Sequence, residues 1–270
     1  MQKTILVTGS TDGIGFATAQ KLVGLGHHVL LHGRNPVKLA DVTRMLSQQS
    51  GEGRVESYVA DLSIMGDVEA LANAITAGHS QLDVLINNAG ILGANDPMTR
   101  DGLDVRFAVN TLAPYLLTHR LLPLLGTSGR VVNLSSAAQS PVDLNALSGE
   151  VGLSEDFSAY AQSKLALTMW SRNMALSLKD QGPVIVAVNP GSMLGSKMVK
   201  EGFGVAGGDI SIGADILIRA ALSDDFSAAS GQYFDNDLGQ FSSPHADALD
   251  PHKSADVVRV IESLLDSVVS

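Results

Sequence analysis

The chain contains no cysteine. This absence excludes a disulfide framework, a thiolate metal site and a cysteine nucleophile, and with them several classes of enzyme. It also agrees with a reducing compartment, where disulfides do not persist, so we expect a cytoplasmic protein.

Long apolar runs and positive charge are also scarce. No apolar run approaches the ~20 residues that a membrane-spanning helix needs, and Met1-Gln2-Lys3 leads into the first predicted strand without a signal segment. The 18 basic and 28 acidic residues give a formal net charge of −10, which argues against nucleic-acid binding by electrostatics. We therefore expect no membrane segment and no nucleic-acid partner, and any anion site must rest on local basic residues.

Local metal-binding motifs are missing as well. The seven histidines show no H-E-x-x-H spacing, and His27, His28 and His32 are predicted to be surface or packing residues. The run Asp235-Asn236-Asp237-Leu238-Gly239 begins like a calcium loop, but Ala246 stands where the closing glutamate should be. We predict no bound metal.

What the chain does have is a regular alternation of short apolar runs with segments of helical period. With 270 residues and 45% hydrophobic residues, it has ample material for a core. The alternation is typical of a parallel sheet covered on both faces, so we predict one α/β domain over residues 1–270, doubly wound in the Rossmann manner, with a seven-stranded parallel sheet. The predicted strands are 5–7, 29–32, 55–59, 84–86, 131–134, 185–188 and 232–234, and the predicted helices are 13–25, 36–49, 67–78, 101–125, 158–180, 211–222 and 255–268.

A glycine-rich turn after the first strand is the most informative stretch. Glycines adopt backbone conformations that other residues avoid, and they let a pyrophosphate approach the amides at the start of a helix, where the helix dipole favours an anion. Such a turn by itself is equally compatible with a purely structural role. We predict that it binds the phosphates of a dinucleotide through Gly9, Ser10, Thr11, Asp12, Gly13, Ile14 and Gly15.

Ligands of open α/β sheets bind at the carboxyl ends of the strands, so the residues that follow each strand are candidates for ligand contacts. After the second strand, Arg34 stands where an NAD-binding protein usually has a carboxylate. A guanidinium suits a 2′-phosphate, which predicts NADP(H); the alternative is a solvated loop charge. After the third strand, Asp61 and Leu62 are predicted to meet the adenine, although an aspartate here is equally well explained as a helix cap.

Polar side chains also follow the fourth and fifth strands. Asn87-Asn88-Ala89-Gly90 comes after the fourth, and Ser135-Ser136 after the fifth. Further on, Tyr160 and Lys164 are four residues apart on a predicted helix and share one face. A nearby ammonium stabilises phenolate and lowers the pKa of a tyrosine from about 10. The pair is therefore predicted to be catalytic in this context, whereas in isolation it is more typical of a surface pair.

These motifs together resemble the classical type of the short-chain dehydrogenase/reductase family over nearly the whole chain. The resemblance rests on Thr8-Gly9-x-x-x-Gly13-Ile14-Gly15, Asn87-Asn88-Ala89-Gly90, Asn110, Ser136, Tyr160-x-x-x-Lys164 and Asn189-Pro190-Gly191. The spacing from Ser136 to Tyr160 exceeds the usual spacing by an insertion around residues 143–157. The insertion and the runs Thr99-Arg100-Asp101-Gly102-Leu103, Tyr160-Ala161-Gln162-Ser163-Lys164-Leu165-Ala166 and Gly231-Gln232-Tyr233-Phe234 resemble the retinol-dehydrogenase-like and protochlorophyllide-reductase-like branch.

The resemblance implies a role for each catalytic residue. Tyr160 is the expected general acid/base, and Lys164 is expected to lower its pKa and to hold the nicotinamide ribose. Ser136, rather than Ser135, is expected to bind the substrate oxygen. Asn110 is expected to anchor a water that links Lys164 to solvent.

The resemblance also implies contacts to the cofactor and to a second subunit. Asn88, Ala89, Gly90, Pro190, Gly191 and Ser192 are expected to contact the cofactor. The family often has a threonine five residues after the proline, where this chain has Gly195, so Ser192 or Ser196 is expected to supply the hydroxyl. The helices predicted at 101–125 and 158–180 are expected to build the interface of a homodimer or homotetramer.

The expected function is an NADP(H)-dependent oxidoreductase that interconverts a carbonyl and an alcohol on a fairly apolar small molecule. The glycines and apolar residues of segment 192–210 suit a mobile flap over the substrate, the alternative being a plain disordered surface loop. Two other functions stay open from the sequence: a noncatalytic dinucleotide-sensing or scaffold protein on the same fold, and an NAD-dependent dehydrogenase.

Overall fold

A central parallel sheet organises the protein. The computed structural model describes residues 1–49 and 51–268, and within these residues eight strands form one sheet in the order β3-β2-β1-β4-β5-β6-β7-β8. All neighbouring strands pair in parallel except β7 and β8, which are antiparallel. The strands are β1 (Thr4–Val7), β2 (His28–Gly33), β3 (Arg54–Val59), β4 (Val84–Asn87), β5 (Arg130–Leu134), β6 (Val184–Asn189), β7 (Tyr233–Asp235) and β8 (Gln240–Ser242).

Helices connect the strands and cover both faces of the sheet. They are α1 (Gly13–Gly24), α2 (Pro36–Ser47), α3 (Met65–Gly78), α4 (Val105–Phe107), α5 (Ala113–Leu125), α6 (Leu144–Leu147), α7 (Asp156–Leu178), α8 (Lys197–Phe203), α9 (Ser211–Leu222), α10 (Ala246–Leu249) and α11 (Pro251–Val268). A π-helical segment, Ala108–Leu112, joins α4 to α5, and short 3₁₀ turns occupy Lys179–Gln181 and Asp224–Phe226.

The side chains of each inner strand alternate between two apolar layers, because successive residues of a strand point to opposite faces. Ile5 and Val7 belong to the layer that contains buried residues of α1, α2 and α9, whereas Leu6 belongs to the layer that contains those of α3, α5, α7 and α11. The crossover changes direction between β1 and β4, and this reversal opens a crevice at the carboxyl ends of the strands.

The predicted α/β fold and its parallel strands are confirmed, but the predicted strand number is wrong. The described residues contain an eighth strand, β8, which follows a tight turn and pairs antiparallel with β7. It has three residues and an exposed burial pattern, so it carries no apolar signal. The one-domain prediction extends over residues 50, 269 and 270, which lie outside the described residues.

The helix predicted at 101–125 begins later than expected. Asp104 accepts a hydrogen bond from the Arg106 amide and caps α4, so the helical path starts at Val105. The structure also adds three short helices that the periodicity did not predict, α6, α8 and α10.

The C-terminal helix α11 packs on α7, on the sheet face where α3 and α5 also lie. The Tyr115 hydroxyl of α5 donates a hydrogen bond of 2.8 Å to Glu262 of α11. Part of the face that the resemblance assigned to a subunit interface is thus covered within the chain, and the homodimer or homotetramer stays a prediction.

Among the described residues, no helix combines the length and the apolar character required to cross a bilayer.

Candidate active site

The glycine-rich turn packs too tightly for side chains at two of its glycines. Gly9 has a φ of 64°, and a Cβ there would lie 2.9 Å from the Cα of Ala89. A Cβ on Gly15 would lie 2.3 Å from both the Gly9 carbonyl oxygen and the Asn88 Nδ2. At Gly13 the backbone has a φ of 56°, in the left-handed region that favours glycine. The turn therefore needs glycine at all three positions.

The segment after β4 holds this turn in place. Thr8 Oγ1 accepts hydrogen bonds of 3.0 Å from the amides of Asn88 and Ala89. The Asn88 side-chain amide donates to the carbonyl oxygens of Thr8 and Gly9, at 2.8 and 3.2 Å. The side chain of Asn88 thus supports the turn from behind, an arrangement that the sequence-based assignment of Asn88 to the cofactor did not anticipate.

Ser10 and His32 fasten the turn to β2. The Ser10 hydroxyl is fully buried, accepts a hydrogen bond from the His32 amide and donates one to the His32 carbonyl oxygen. The His32 ring accepts from the Gly9 amide at Nδ1 and faces the Ala60 carbonyl oxygen at Nε2, each at 3.1 Å. Burial lowers the pKa of His32 to about 4. His32 is a packing residue, as predicted, and its neutral ring with hydrogen on Nε2 satisfies both partners.

We expect the stability of the protein to fall in mild acid because of His32. At pH values between the ordinary histidine pKa of 6.5 and the folded value of about 4, His32 is protonated in the unfolded chain but neutral in the native state. The free energy of unfolding then falls with decreasing pH, by up to about 3 kcal/mol for this group. Urea unfolding from pH 7.5 to pH 4 measures this loss.

A His32→Gln variant provides the comparison for that prediction, because glutamine does not titrate. Its unfolding free energy is expected to be lower at pH 7 and to change less between pH 6.5 and 4 than that of the wild type. Equal pH slopes for the two proteins would contradict the assignment of this loss to His32.

The start of α1 offers amides to an anion. Asp12 caps the helix by accepting from the Gly13 amide at 2.8 Å, and its other oxygen lies 2.6 Å from Lys38 Nζ. The hydrogen bond from Lys38 is the largest cause that lowers the pKa of Asp12. Among the described residues, no hydrogen-bond acceptor is found for the amides of Ile14 and Gly15. These two amides remain for a phosphate, and Lys38 compensates the charge of Asp12.

Arg34 lies at the carboxyl end of β2 beside this turn. A Cβ on the preceding Gly33 would lie 2.6 Å from the Thr11 Cγ2, so the two segments touch there. Arg34 is exposed, and none of its described neighbours forms a hydrogen bond or ion pair with it. Its guanidinium is thus available at the edge of the glycine-rich turn.

The residues after β3 are used mainly by the protein itself. Asp61 Oδ1 accepts hydrogen bonds from the amide and the hydroxyl of Ser63, at 2.9 and 2.7 Å. The Asp61 carboxylate therefore stabilises the turn before α3 but does not cap the helix, because the N-cap residue is Ile64 and it has no side-chain cap hydrogen bond. The contact of Asp61 with the adenine stays a prediction. Leu62 is buried in the apolar layer that contains α3.

Tyr160, Ser136 and Lys164 converge at the carboxyl end of β5. Lys164 donates a hydrogen bond of 2.7 Å to the Leu134 carbonyl oxygen, and its Nζ lies 5.7 Å from the centroid of the Tyr160 ring. Two donors fix the Ser136 carbonyl oxygen: Gln139 Nε2 at 2.9 Å and the Tyr233 hydroxyl at 3.1 Å. The Ser135 hydroxyl instead bonds to Thr168, 2.7 Å away in the core.

Burial controls the protonation of both ionisable groups. It raises the pKa of the Tyr160 phenol, and a hydrogen bond with the Ser136 side chain partly opposes this effect. It also lowers the pKa of Lys164 to about 7. Desolvation is thus the largest influence on the Tyr160 pKa, and the lowering of this pKa by Lys164 stays a prediction. Tyr160 is a protonated phenol at neutral pH.

Asn110 lies in the π-helical segment next to this group. Its side-chain amide donates to the Ile91 carbonyl oxygen at 2.8 Å and to the Ser163 hydroxyl at 2.9 Å, and its oxygen accepts from the Ile91 amide. A Cβ on Gly90 would lie 3.4 Å from both Asn110 Oδ1 and Lys164 Nζ. Gly90 thus leaves room between these two polar groups. The role of Asn110 as a water anchor stays a prediction.

The loop after β6 is held by the turn between β7 and β8. Asn189 Nδ2 donates to Asp235 and Asp237, each at 2.9 Å, and Asp237 also accepts from the Ser192 amide and hydroxyl. Desolvation raises the pKa of Asp237, but the hydrogen bonds from Ser192 and Asn189 outweigh it and lower the value. Asn236 Nδ2 fixes the Pro190 carbonyl oxygen at 2.9 Å. The sequence run that resembled a calcium loop therefore anchors Pro190, Gly191 and Ser192.

The two serines proposed to replace the missing threonine both have protein partners. Ser192 is bound to Asp237, and the Ser196 hydroxyl caps α8 by accepting from the Val199 amide at 3.2 Å. The choice between them as a cofactor contact stays a prediction.

Segment 192–210 contains a helix and lies over the crevice. Its base is closed by hydrogen bonds between Gly195 and Gly208 and between Gly208 and Met193, of 2.8 and 2.7 Å. Its helix α8 approaches the catalytic group, since the Met198 Cε lies 3.8 Å from a Cβ position on Gly90. The Phe203 ring packs edge-on against Phe157, with 6.1 Å between centroids. The contacts of Met198 and Phe203 are apolar, and movement of the segment stays a prediction.

Comparison with known proteins gives related sequences. The family model described as short chain dehydrogenase matches residues 3–203. Polyprenol dehydrogenase of Homo sapiens is 36% identical over 200 residues, 70% of this chain and 60% of that protein. Dehydrogenase/reductase SDR family member 13 of Bos taurus is 38% identical over 194 residues, 70% of this chain and 51% of that protein. The chain thus spans only part of the length of these two relatives.

A third relative matches over more of its length. Retinol dehydrogenase 12 of Bos taurus is 33% identical over 257 residues, which make up 90% of this chain and 81% of that protein. Among solved structures, an uncharacterized protein from Mycobacterium paratuberculosis aligns with a TM-score of 0.80 and 27% identity, covering 98% of this chain and 94% of that one. A metagenomic short-chain oxidoreductase in complex with NADP aligns with a TM-score of 0.62 and 30% identity, covering 81% and 90%.

Proposed function

Because the chain belongs to the short-chain dehydrogenase family and to its retinol-dehydrogenase-like branch, we propose that it is an NADP(H)-dependent oxidoreductase that interconverts a carbonyl and an alcohol. The observation that carries the proposal is the convergence of Tyr160, Ser136 and Lys164 beside Gly90, at the strand ends where the glycine-rich turn also lies. An acid/base group next to a dinucleotide site has a use in an enzyme and none in a sensor.

The residues of the crevice fit a dinucleotide phosphate. The fit rests on the missing Cβ atoms of Gly9 and Gly15 and on the amides of Ile14 and Gly15 at the positive end of α1. NADP(H), when bound, supplies the hydride chemistry. Arg34 supports the phosphorylated form, since it places a permanent positive charge where a carboxylate would favour NAD. A solved relative of 30% identity has NADP bound.

Tyr160 is the proposed general acid for reduction. Its phenol, protonated at neutral pH, gives a proton to the carbonyl oxygen, and the Ser136 hydroxyl stabilises the charge that develops there. The buried ammonium of Lys164 lies next to Tyr160 and is the proposed hydrogen-bond donor to the nicotinamide ribose. In the oxidative direction Tyr160 accepts the proton, which requires the phenolate and therefore a higher pH.

The proposed substrate is a fairly apolar aldehyde, ketone or alcohol. Apolar side chains meet where segment 192–210 approaches Gly90: Met198 lies near Gly90, the Phe203 ring packs against Phe157, and a Cβ on Gly202 would lie 3.1 Å from Leu92 Cδ2. Two of the relatives are named for retinol and polyprenol, which are apolar alcohols. A panel of apolar aldehydes and ketones, assayed by NADPH consumption, tests the proposal. NADPH binding without turnover of any of them would favour the noncatalytic alternative.

We expect Arg34→Ala to weaken NADPH binding by about 10- to 100-fold and to leave NADH binding within about twofold, because a charge-assisted contact of ~1.5–3 kcal/mol is lost only with the 2′-phosphate. Titration of both cofactors by fluorescence or calorimetry measures the effect. Arg44→Ala is the matched control, since Arg44 is an exposed arginine of α2 that pairs with Asp41. An equal loss for both cofactors, or no loss, would contradict the role of Arg34.

A further inference from the structure

Three side chains with metal-binding atoms meet at the amino ends of β2 and β3, the opposite end of the sheet from Tyr160. They are His28, the first residue of β2; Glu56 in β3; and His79, which directly follows α3. The Nε2 of His28 lies 3.0 Å from Oε1 of Glu56, and the Nε2 of His79 lies 3.3 Å from Oε2 of Glu56. One ligand atom of each residue lies within 4.8 Å of the others.

These distances suit a tetrahedral ion. Zinc binds histidine nitrogen and carboxylate oxygen at about 2.0–2.1 Å, so two ligand atoms of a tetrahedral site are about 3.3 Å apart. The two nitrogen-to-oxygen distances, one to each carboxylate oxygen of Glu56, are close to that length. Two imidazoles also favour zinc-like transition metals over magnesium or calcium, which prefer oxygen ligands.

The two histidines are largely buried, whereas the carboxylate between them is accessible to solvent. The side chains of His28 and His79 are 17% and 11% exposed, while that of Glu56 is 48% exposed. The Tyr58 hydroxyl donates to Oε2 of Glu56 at 3.1 Å and can orient the carboxylate. The same hydroxyl lies 3.0 Å from Nε2 of His79, a contact that an ion bound at this nitrogen would replace. A cleft of about 350 Å³ is lined by His28, Glu56 and Arg54, so solvent reaches the cluster from this side.

We propose that His28, Glu56 and His79 bind a divalent transition metal of the zinc class. The ion ties the edge of the sheet, at β2 and β3, to the end of α3, so its effect is on stability. The predicted absence of a metal rested on local motifs. Residues 28, 56 and 79 form no such motif, and only the pairing of β2 with β3 and the position of α3 bring them together.

Zinc titration of the full chain tests the site, after treatment with a chelator and its removal. We expect one equivalent of Zn²⁺ to bind and to raise the thermal unfolding midpoint, with no rise from Mg²⁺. His79→Ala and Glu56→Gln should each weaken zinc binding by at least about 10-fold. His252→Ala, which removes an exposed histidine at the start of α11, should bind zinc like the wild type.

NADPH binding in the absence of zinc shows that each variant is folded, and Glu56→Gln keeps the shape of the side chain if His79→Ala does not fold. The proposal is overturned if the wild type shows no saturable zinc binding. It is equally overturned if zinc binds with the same affinity to the folded variants, because the ion then uses other residues.

Discussion

Tyr160→Phe is expected to reduce kcat/KM for carbonyl reduction by about 10² to 10⁴, the usual contribution of a positioned acid/base group. The variant loses one hydroxyl oxygen and keeps the ring beside Lys164, so we expect it to fold and to bind NADPH with nearly wild-type affinity. Steady-state kinetics with an accepted substrate, together with a cofactor titration, measure the two effects separately.

The pH dependence of the wild-type rate provides a second test of the role of Tyr160. Burial raises the pKa of Tyr160, so the acid needed for reduction is lost only in the alkaline range, whereas Lys164, whose pKa burial lowers to about 7, loses its charge nearer neutrality. Alcohol oxidation needs the phenolate and should rise with pH over that range. Tyr115→Phe is a suitable control, because this buried phenol bonds to Glu262 on α11. Full activity in Tyr160→Phe would show that the proton comes from another group.

The second large effect is expected on stability, from Arg106→Met. Arg106 is 1% exposed and bonds through Nε to Asp104 at 2.7 Å, and it also pairs with Asp156 at the start of α7. Removing the guanidinium leaves Asp104, itself 4% exposed, as an uncompensated buried charge. We expect the free energy of unfolding to fall by about 3–5 kcal/mol and the midpoint to fall by roughly 10 °C. Chemical and thermal denaturation provide the measurement.

The exposed ion pair of Arg120 and Glu69 provides the control for this prediction. Arg120 bonds to Glu69 at 2.8 and 2.9 Å, but its side chain is 41% exposed, so Arg120→Met should cost less than about 1 kcal/mol. If Arg106→Met were no more destabilising than Arg120→Met, the buried pair would not make the expected contribution to stability. The double variant Arg106→Met/Asp104→Leu should recover part of the loss, because it removes the orphaned carboxylate as well.

The parts of the fold that the sequence predicts are those with a local signal. The strands that fill the two apolar layers were predicted because their residues form apolar runs, and the turn at Gly9 was predicted because glycine is needed for its backbone. β8 was missed because three exposed residues carry no such run. The extra helix α8 was missed because glycines and apolar residues in 192–210 gave no clear period.

The sequence motifs predict which residues meet at the candidate site, and the roles of these residues toward cofactor and substrate stay predictions. Tyr160, Lys164 and Ser136 lie close together in the structure. The side chains of Asn88 and Ser10 hydrogen-bond within and beside the glycine-rich turn, contacts that no local motif contains. The anchoring of Ser192 by Asp237 depends on contacts between residues 45 apart, which no local pattern contains. The net direction of the Tyr160 pKa also required burial, a property of the folded chain.

The π-helical segment Ala108–Leu112 sets the rotation of Asn110 about the helix axis. A π turn holds one residue more than an α turn, so deleting a single residue within it would restore a regular helix and turn the residues on one side by about 100° relative to those on the other. The Asn110 amide would then lose its hydrogen bonds to Ile91 and Ser163, even with every other side chain of the catalytic group unchanged. Chain length in this turn is therefore as much a requirement of the site as the identity of its residues.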